Sequence, residues 1–217
     1  MSISLHQTSI AKLFLFAVVA AMLTFVLWHN ERPLLDASSP QSVHLAPAGL
    51  RVAAHAFGAA LALALGALQF LARKGGRIHR ITGRIYVAGV FLAGPFAIWI
   101  ASIISPWFLF AFTIVQAGIW MLCTGIAFWT VRRGNIDQHR EWMMRSYAVV
   151  LIFLEGRVLM AVPVLAAAGL DAVVFVNWLS LTLTLIGVEL VIQCPRLSAR
   201  PRNSRGKANH FGSLTEN

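Results

Sequence analysis

Six apolar runs, each close to the length of a membrane-crossing helix, dominate this chain. They span residues 10–28, 50–72, 85–104, 107–131, 147–168 and 172–193. A helix needs about 20 residues to cross the ~30 Å hydrocarbon layer of a bilayer. Inside lipid every backbone N–H and C=O must be paired internally, which leaves helices and closed barrels. None of the runs alternates with a period of two, so helices are expected. Only 12% of the residues are charged, about half the share of a soluble domain. A soluble fold of this composition would leave large apolar patches in water. The expected fold is therefore all-α, a polytopic bundle of six transmembrane helices. Residues 1–9 form a short N-terminal segment, 10–193 the membrane domain, and 194–217 a basic tail of disordered composition. Lys12 near the start of the first run suits a signal peptide, but no small-residue cleavage site follows, so the run reads as an uncleaved helix.

The charges between the runs set the orientation. Lys12, Arg73, Lys74, Arg77, Arg80, Arg84, Arg132, Arg133, Arg140, Arg145 and the five basic residues of the tail fall on one side. The other side holds Arg32 and Arg51. Lys and Arg accumulate in cytoplasmic loops, so both termini are expected in the cytoplasm and the chain in the inner membrane. The net charge of +10 is thus explained by topology, with the lipid bilayer as partner and no nucleic-acid-reading face. Trp28, Trp107 and Trp178 at one interface and Trp129 and Trp142 at the other suit an aromatic belt. Gly58, Ala59, Ala62 and Gly66 offer a small-residue face for close helix packing. Pro95 and Pro163 are expected to kink their helices.

Two basic stretches resemble one another. The first reads His79-Arg80, then Arg84-Ile85-Tyr86; the second reads His139-Arg140, then Arg145-Ser146-Tyr147. Each follows an apolar run with a polar residue near its start, His55 or Gln116, which suggests a duplicated helical hairpin. The pieces IHRITGRIY, QHREWMMRSYAVVLIFLEGRVLMAVP and NWLSLTLTLIGVELVIQ resemble a bacterial predicted-membrane-protein family, domain of unknown function number 2306. The resemblance covers residues 50–193 and implies a multi-pass membrane protein, without an activity. It falls on His55, Gln69, His79, Arg80, Gly83, Arg84, Tyr86, His139, Arg140, Trp142, Met143, Arg145, Tyr147, Arg157 and Glu189.

Candidate site residues form two groups. Glu155 and Arg157 lie near the middle of the fifth run, where a charge costs about 2.5–3.5 kcal/mol on insertion scales. Two residues apart on a helix, they point in different directions. Gln116 and His55 are candidate partners, and Glu189 could meet an arginine of the loops. The second group is on the basic side. His79 and His139 each precede an apolar run and could meet beneath the membrane. Two imidazoles from separate helices can ligate a b-type haem or part of a metal site. Arg80, Arg84, Arg140 and Arg145 could hold propionates, lipid phosphates or another anionic ligand. Asp137 and Glu141 flank His139 and could order its ring.

No phosphate-binding loop, nucleophile elbow, HExxH or paired-carboxylate signature occurs, which argues against a hydrolase, kinase or nucleotide-driven pump. Cys123 and Cys194 lack metal-site spacing. The leading expectation is an inner-membrane protein that binds a small ligand, a second copy or a membrane partner through its His/Arg loops. The alternatives are a haem b redox protein using His79 and His139, and a small-solute or proton transporter using Glu155, Arg157 and His55.

Overall fold

The computed structural model describes residues 5–32, 36, 38–71 and 74–198, and every regular element among them is helical. Helix α1 (Leu5–Val26) runs into a π-helical turn, Leu27–Glu31. A short α2 (Pro40–Leu45) starts at Ser39, whose hydroxyl accepts from Ser42 N–H, and has proline at its first position. Then come α3 (Leu50–Leu71), α4 (Arg77–Ile104), α5 (Trp107–Arg132), α6 (Ile136–Leu159), a single-turn α7 (Pro163–Ala167) and α8 (Gly169–Ser198). Four stretches are long and apolar enough to cross a membrane: Leu50–Phe70, Arg77–Ile104, Trp107–Arg132 and Gly169–Cys194. Helix α1 contributes a shorter apolar stretch, Phe16–His29. The expected tail lies outside the described residues from 199 onward, as do residues 1–4.

Three expected boundaries shift, each for a local reason. Helix α4 begins at Arg77, eight residues before the apolar run, so His79, Arg80 and Arg84 are helical and not in a loop. Helix α6 begins at Ile136, which makes His139, Arg140 and Arg145 helical too. The turn before it is encoded in Gly134-Asn135. Gly134 takes φ +76, Asn135 N–H reaches back to Thr130 O, and Gly134 N–H to Val131 O. That is a Schellman closure of α5. The Asn135 side chain then accepts from Gln138 N–H and caps α6. Gly134→Ala puts a Cβ into a left-handed residue and should destabilise by about 1 kcal/mol; helix loss against temperature in detergent measures it. The third shift is at Pro163, where the fifth helix, expected to kink, is instead broken. Proline has no N–H and drives Val162 into extended backbone. Helix α6 therefore closes early, with Met160 N–H on Gly156 O and Ala161 N–H on Val158 O.

Helix α6 is the centre of the bundle and packs against α1, α3, α5 and α8. Its Tyr147, Val149, Val150, Ile152 and Leu154 join Tyr86 and Val90 of α4, Ala62 and Leu63 of α3, Phe112 and Trp120 of α5, and Leu181 of α8. Helices α3 and α4 cross at two glycines: a Cβ on Gly58 would lie 2.8 Å from Gly89 O, and one on Gly89 would lie 2.8 Å from Gly58 O. Gly66 leaves the space that the Tyr147 ring fills.

The two hairpins, α3–α4 and α5–α6, exchange tyrosines. Tyr86 of α4 reaches across to α6, where its hydroxyl bonds Ser146 Oγ at 2.7 Å. Ser146 Oγ in turn bonds Thr124 Oγ1 of α5 at 2.7 Å. Tyr147 of α6 reaches the other way and donates to Leu63 O of α3 at 3.3 Å. Leu63 stands 23 residues before Tyr86, and Thr124 stands 23 residues before Tyr147. The reaching tyrosines thus correspond in the two hairpins, and the residue that corresponds to Leu63, Thr124, bonds the serine that meets Tyr86.

Candidate functional site

The turns joining α3 to α4 and α5 to α6 lie at one end of the bundle, which is its basic end. There the end of α3 is stapled to the start of α4 by Gln69, which is 7% exposed. Its amide donates to His79 O at 3.1 Å and to Thr82 Oγ1. Lys74 Nζ closes the turn by donating to Gln69 O at 3.0 Å. These bonds fix the backbone that carries His79, in the first turn of α4. The His79 ring is half-buried. Its Nδ1 is buried and has no hydrogen-bond partner among the described residues. An unsatisfied buried polar atom is uncommon and costs about 1–3 kcal/mol.

His139, in the first turn of α6, is placed differently. Its Nδ1 lies 2.8 Å from Ala127 O of α5. A carbonyl only accepts, so Nδ1 carries a proton and donates it to α5. The His139 imidazole and the Lys74 ammonium both lie within electrostatic range of His79. Of the two histidines, one thus has a buried nitrogen with no partner among the described residues, and the other is bonded across to α5.

The arginines divide into two classes. Arg145 is committed: its guanidinium grips the Glu189 carboxylate of α8 with Nε at 3.0 Å from Oε2 and Nη2 at 2.8 Å. Gln193 donates to the same carboxylate at 2.8 Å, Glu141 approaches at 3.9 Å, and the guanidinium lies over the Trp142 ring. Arg145 is therefore a clamp between α6 and α8. Arg80, Arg84 and Arg140 are exposed and make no ion pair among the described residues. Asp137 is exposed in the first turn of α6, where its charge complements the helix dipole.

The remaining candidates bond to different helices. His55 Nδ1 donates to Ala93 O of α4 at 3.0 Å, a hydrogen bond that joins α3 to α4. Glu155 accepts from Thr184 Oγ1 of α8 at 2.7 Å. Arg157 sits in the last turn of α6, where a cation suits the helix C-terminus, and lies over the Phe153 ring. Gln116 is half-buried on α5. His55 and Glu155 thus serve different helix pairs. Among the described residues no group of three or more His, Cys, Asp or Glu is disposed to hold a metal ion.

The family described as predicted membrane protein, DUF2306, matches residues 52–192, which takes in both hairpins and the Arg145–Glu189 clamp. The chain belongs to the DUF2306 family. No curated protein and no solved structure matches it. The DUF2306 match leaves α1 and α2 outside and ends within α8. Inside it, the residues that sequence reasoning passes over are neutral: Thr124, Ser146 and Thr184. A hydroxyl in an apolar run raises no alarm, because it can always bond the preceding turn. Thr124 does so, to Trp120 O, while also serving Ser146. For Thr124 and Ser146 the signal is the correspondence of Tyr86 with Tyr147, which implies a polar receiver on the opposite hairpin.

Proposed function

We propose that this DUF2306 protein is a multi-pass bacterial inner-membrane protein with six crossing helices and both termini in the cytoplasm. On this reading α1 and α6 join the four apolar helices. Helix α6 is covered by α1, α3, α5 and α8, so it tolerates charges that a lipid-facing span would not. The concentration of basic residues at one end supports the orientation. We further propose that the cytoplasmic end binds a small ligand between His79 and His139. The observation that carries this is the buried His79 Nδ1 without a partner among the described residues, with the His139 ring within electrostatic range of it.

The His139 geometry favours a second reading, a b-type haem held by the two imidazoles. Ligating histidines commonly hand their other N–H to a carbonyl, as His139 does to Ala127 O. Arg80, Arg84 and Arg140 would then be near enough in the chain to meet propionates. The test is native mass spectrometry and an absorption spectrum of the full chain, purified in mild detergent from haem-replete cells. A bound small-molecule mass lost in both His79→Ala and His139→Ala is expected. A Soret band lost in the same variants identifies the ligand as haem. A wild type that carries no small molecule, or one whose bound mass survives both substitutions, removes the site.

A further inference from the structure

The first turns of α4 carry two parallel stripes that face away from the bundle. Arg77, Arg80 and Arg84 repeat at helical spacing and are all exposed. One position on, Ile78, Ile81 and Ile85 are 67%, 45% and 40% exposed. The row belongs to a stretch long and apolar enough to cross a membrane, so its exposed isoleucines suit contact with lipid. The three arginines make no ion pair among the described residues, and none lies over an aromatic ring, whereas Arg132 and Arg133 at the same end lie over Phe128 and Trp129. The stripe from Arg77 to Arg84 rises about 10 Å along the helix. That is enough to run through the headgroup layer, roughly 5–7 Å on each side of the hydrocarbon.

From these placements we propose that the start of α4 is a docking surface for an anionic phospholipid. The isoleucines lie along an acyl chain, and the arginines meet the headgroup phosphate. Charge complementarity selects the occupant. A guanidinium pairs phosphate oxygens through two parallel N–H donors, and three of them on one face repel any cationic headgroup. The apolar stripe selects a lipid over a free anion, because only a lipid supplies an acyl chain beside its phosphate. Neither His79 nor His139 takes part, so His79→Ala and His139→Ala leave this surface intact, although the haem reading would draw on Arg80 and Arg84 as well.

The test uses the full chain in bilayer nanodiscs of phosphatidylcholine, doped with spin-labelled phosphatidylglycerol or spin-labelled phosphatidylcholine. The motionally restricted fraction of each label gives their relative association. Each basic residue near an anionic surface is worth about 1 kcal/mol, or roughly fivefold in association. The wild type should hold phosphatidylglycerol at least fivefold over phosphatidylcholine, and R77Q/R80Q/R84Q should bring the ratio close to one. The charge-matched R200Q/R202Q/R205Q should change it less than twofold. If the triple glutamine variant does not purify as a monodisperse species, R80Q alone is read in the same way, with a several-fold fall expected. Equal association of both labels with wild type overturns the proposal. So does an equal fall in the tail variant, which would make the preference a diffuse field and not a surface on α4.

Discussion

Gly58→Ala should destabilise this protein by about 2–3 kcal/mol, the upper range for forcing a methyl into a packed core. The added Cβ would lie 2.8 Å from Gly89 O and 3.0 Å from Ala93 N. Both are backbone atoms, so no rotamer relieves the clash and the helices must part. Parting them also strains the His55–Ala93 hydrogen bond on the same crossing. Gly89→Ala should cost a similar amount, since its Cβ meets Gly58 O at the same distance. Once the helices have separated, the second methyl finds room. The double variant should therefore cost less than the two singles added. Gly118 and Gly187 have nothing within 4 Å of an added Cβ. Alanine there should stabilise by about 0.5–1 kcal/mol through helix propensity. Unfolding in mixed micelles with rising dodecyl sulfate reads all four. Equal effects at all four sites would mean that α3 and α4 do not meet backbone to backbone at this crossing.

The second large effect is expected at the clamp between α6 and α8. Glu189→Ala leaves the Arg145 guanidinium, the more enclosed of the two side chains, with Glu141 at 3.9 Å as its one carboxylate among the described residues. Removing one partner of a fully buried pair costs about 3–5 kcal/mol. Glu189 is partly open, with 44% side-chain exposure, so water screens part of this and about 2 kcal/mol is expected. Arg145→Ala should cost less, because the carboxylate left behind reaches solvent and keeps its bond from Gln193. The double variant should lie near the Glu189→Ala value, since the stranded charge is gone. Additive singles would show that the two side chains do not depend on each other. The same micelle titration gives all three numbers.

The apolar runs are legible in the sequence because lipid imposes a length and forbids charge along it. The helix starts are not, because hydropathy marks where a chain enters lipid and not where its helix begins. Residues 77–84 and 136–146 are too polar for the hydrocarbon, yet nothing in them breaks a helix. The true boundaries are written in Gly75-Gly76 and in Gly134-Asn135, as backbone signals. Pro163 marks a disturbance in the fifth run, but whether a proline bends or ends a helix depends on the residues after it. Here Gly169, at φ +65, lets the chain turn directly into α8. The partner choices are the least legible part. Glu189 could meet any arginine of the basic end, and only the rotation of α6 against α8 selects Arg145. Gln69 is visible as part of a family resemblance, but its work on His79 O and Thr82 depends on the path of the α3–α4 turn.

The crossed tyrosines have a consequence for how this molecule comes together. In the α3–α4 hairpin, Leu63 O receives a phenol from outside and Tyr86 sends one out. In the α5–α6 hairpin, Thr124 and Ser146 receive and Tyr147 sends. Each half holds a plug and a socket, and neither plug fits its own socket. Separated in the bilayer, each hairpin would present a phenol with no receiver to lipid, where an unpaired polar group is unfavourable. The two contacts are reciprocal but not identical, since one phenol meets a serine hydroxyl and the other a backbone carbonyl. The two halves are thus obliged to dock as equals, and neither serves as a finished template for the other.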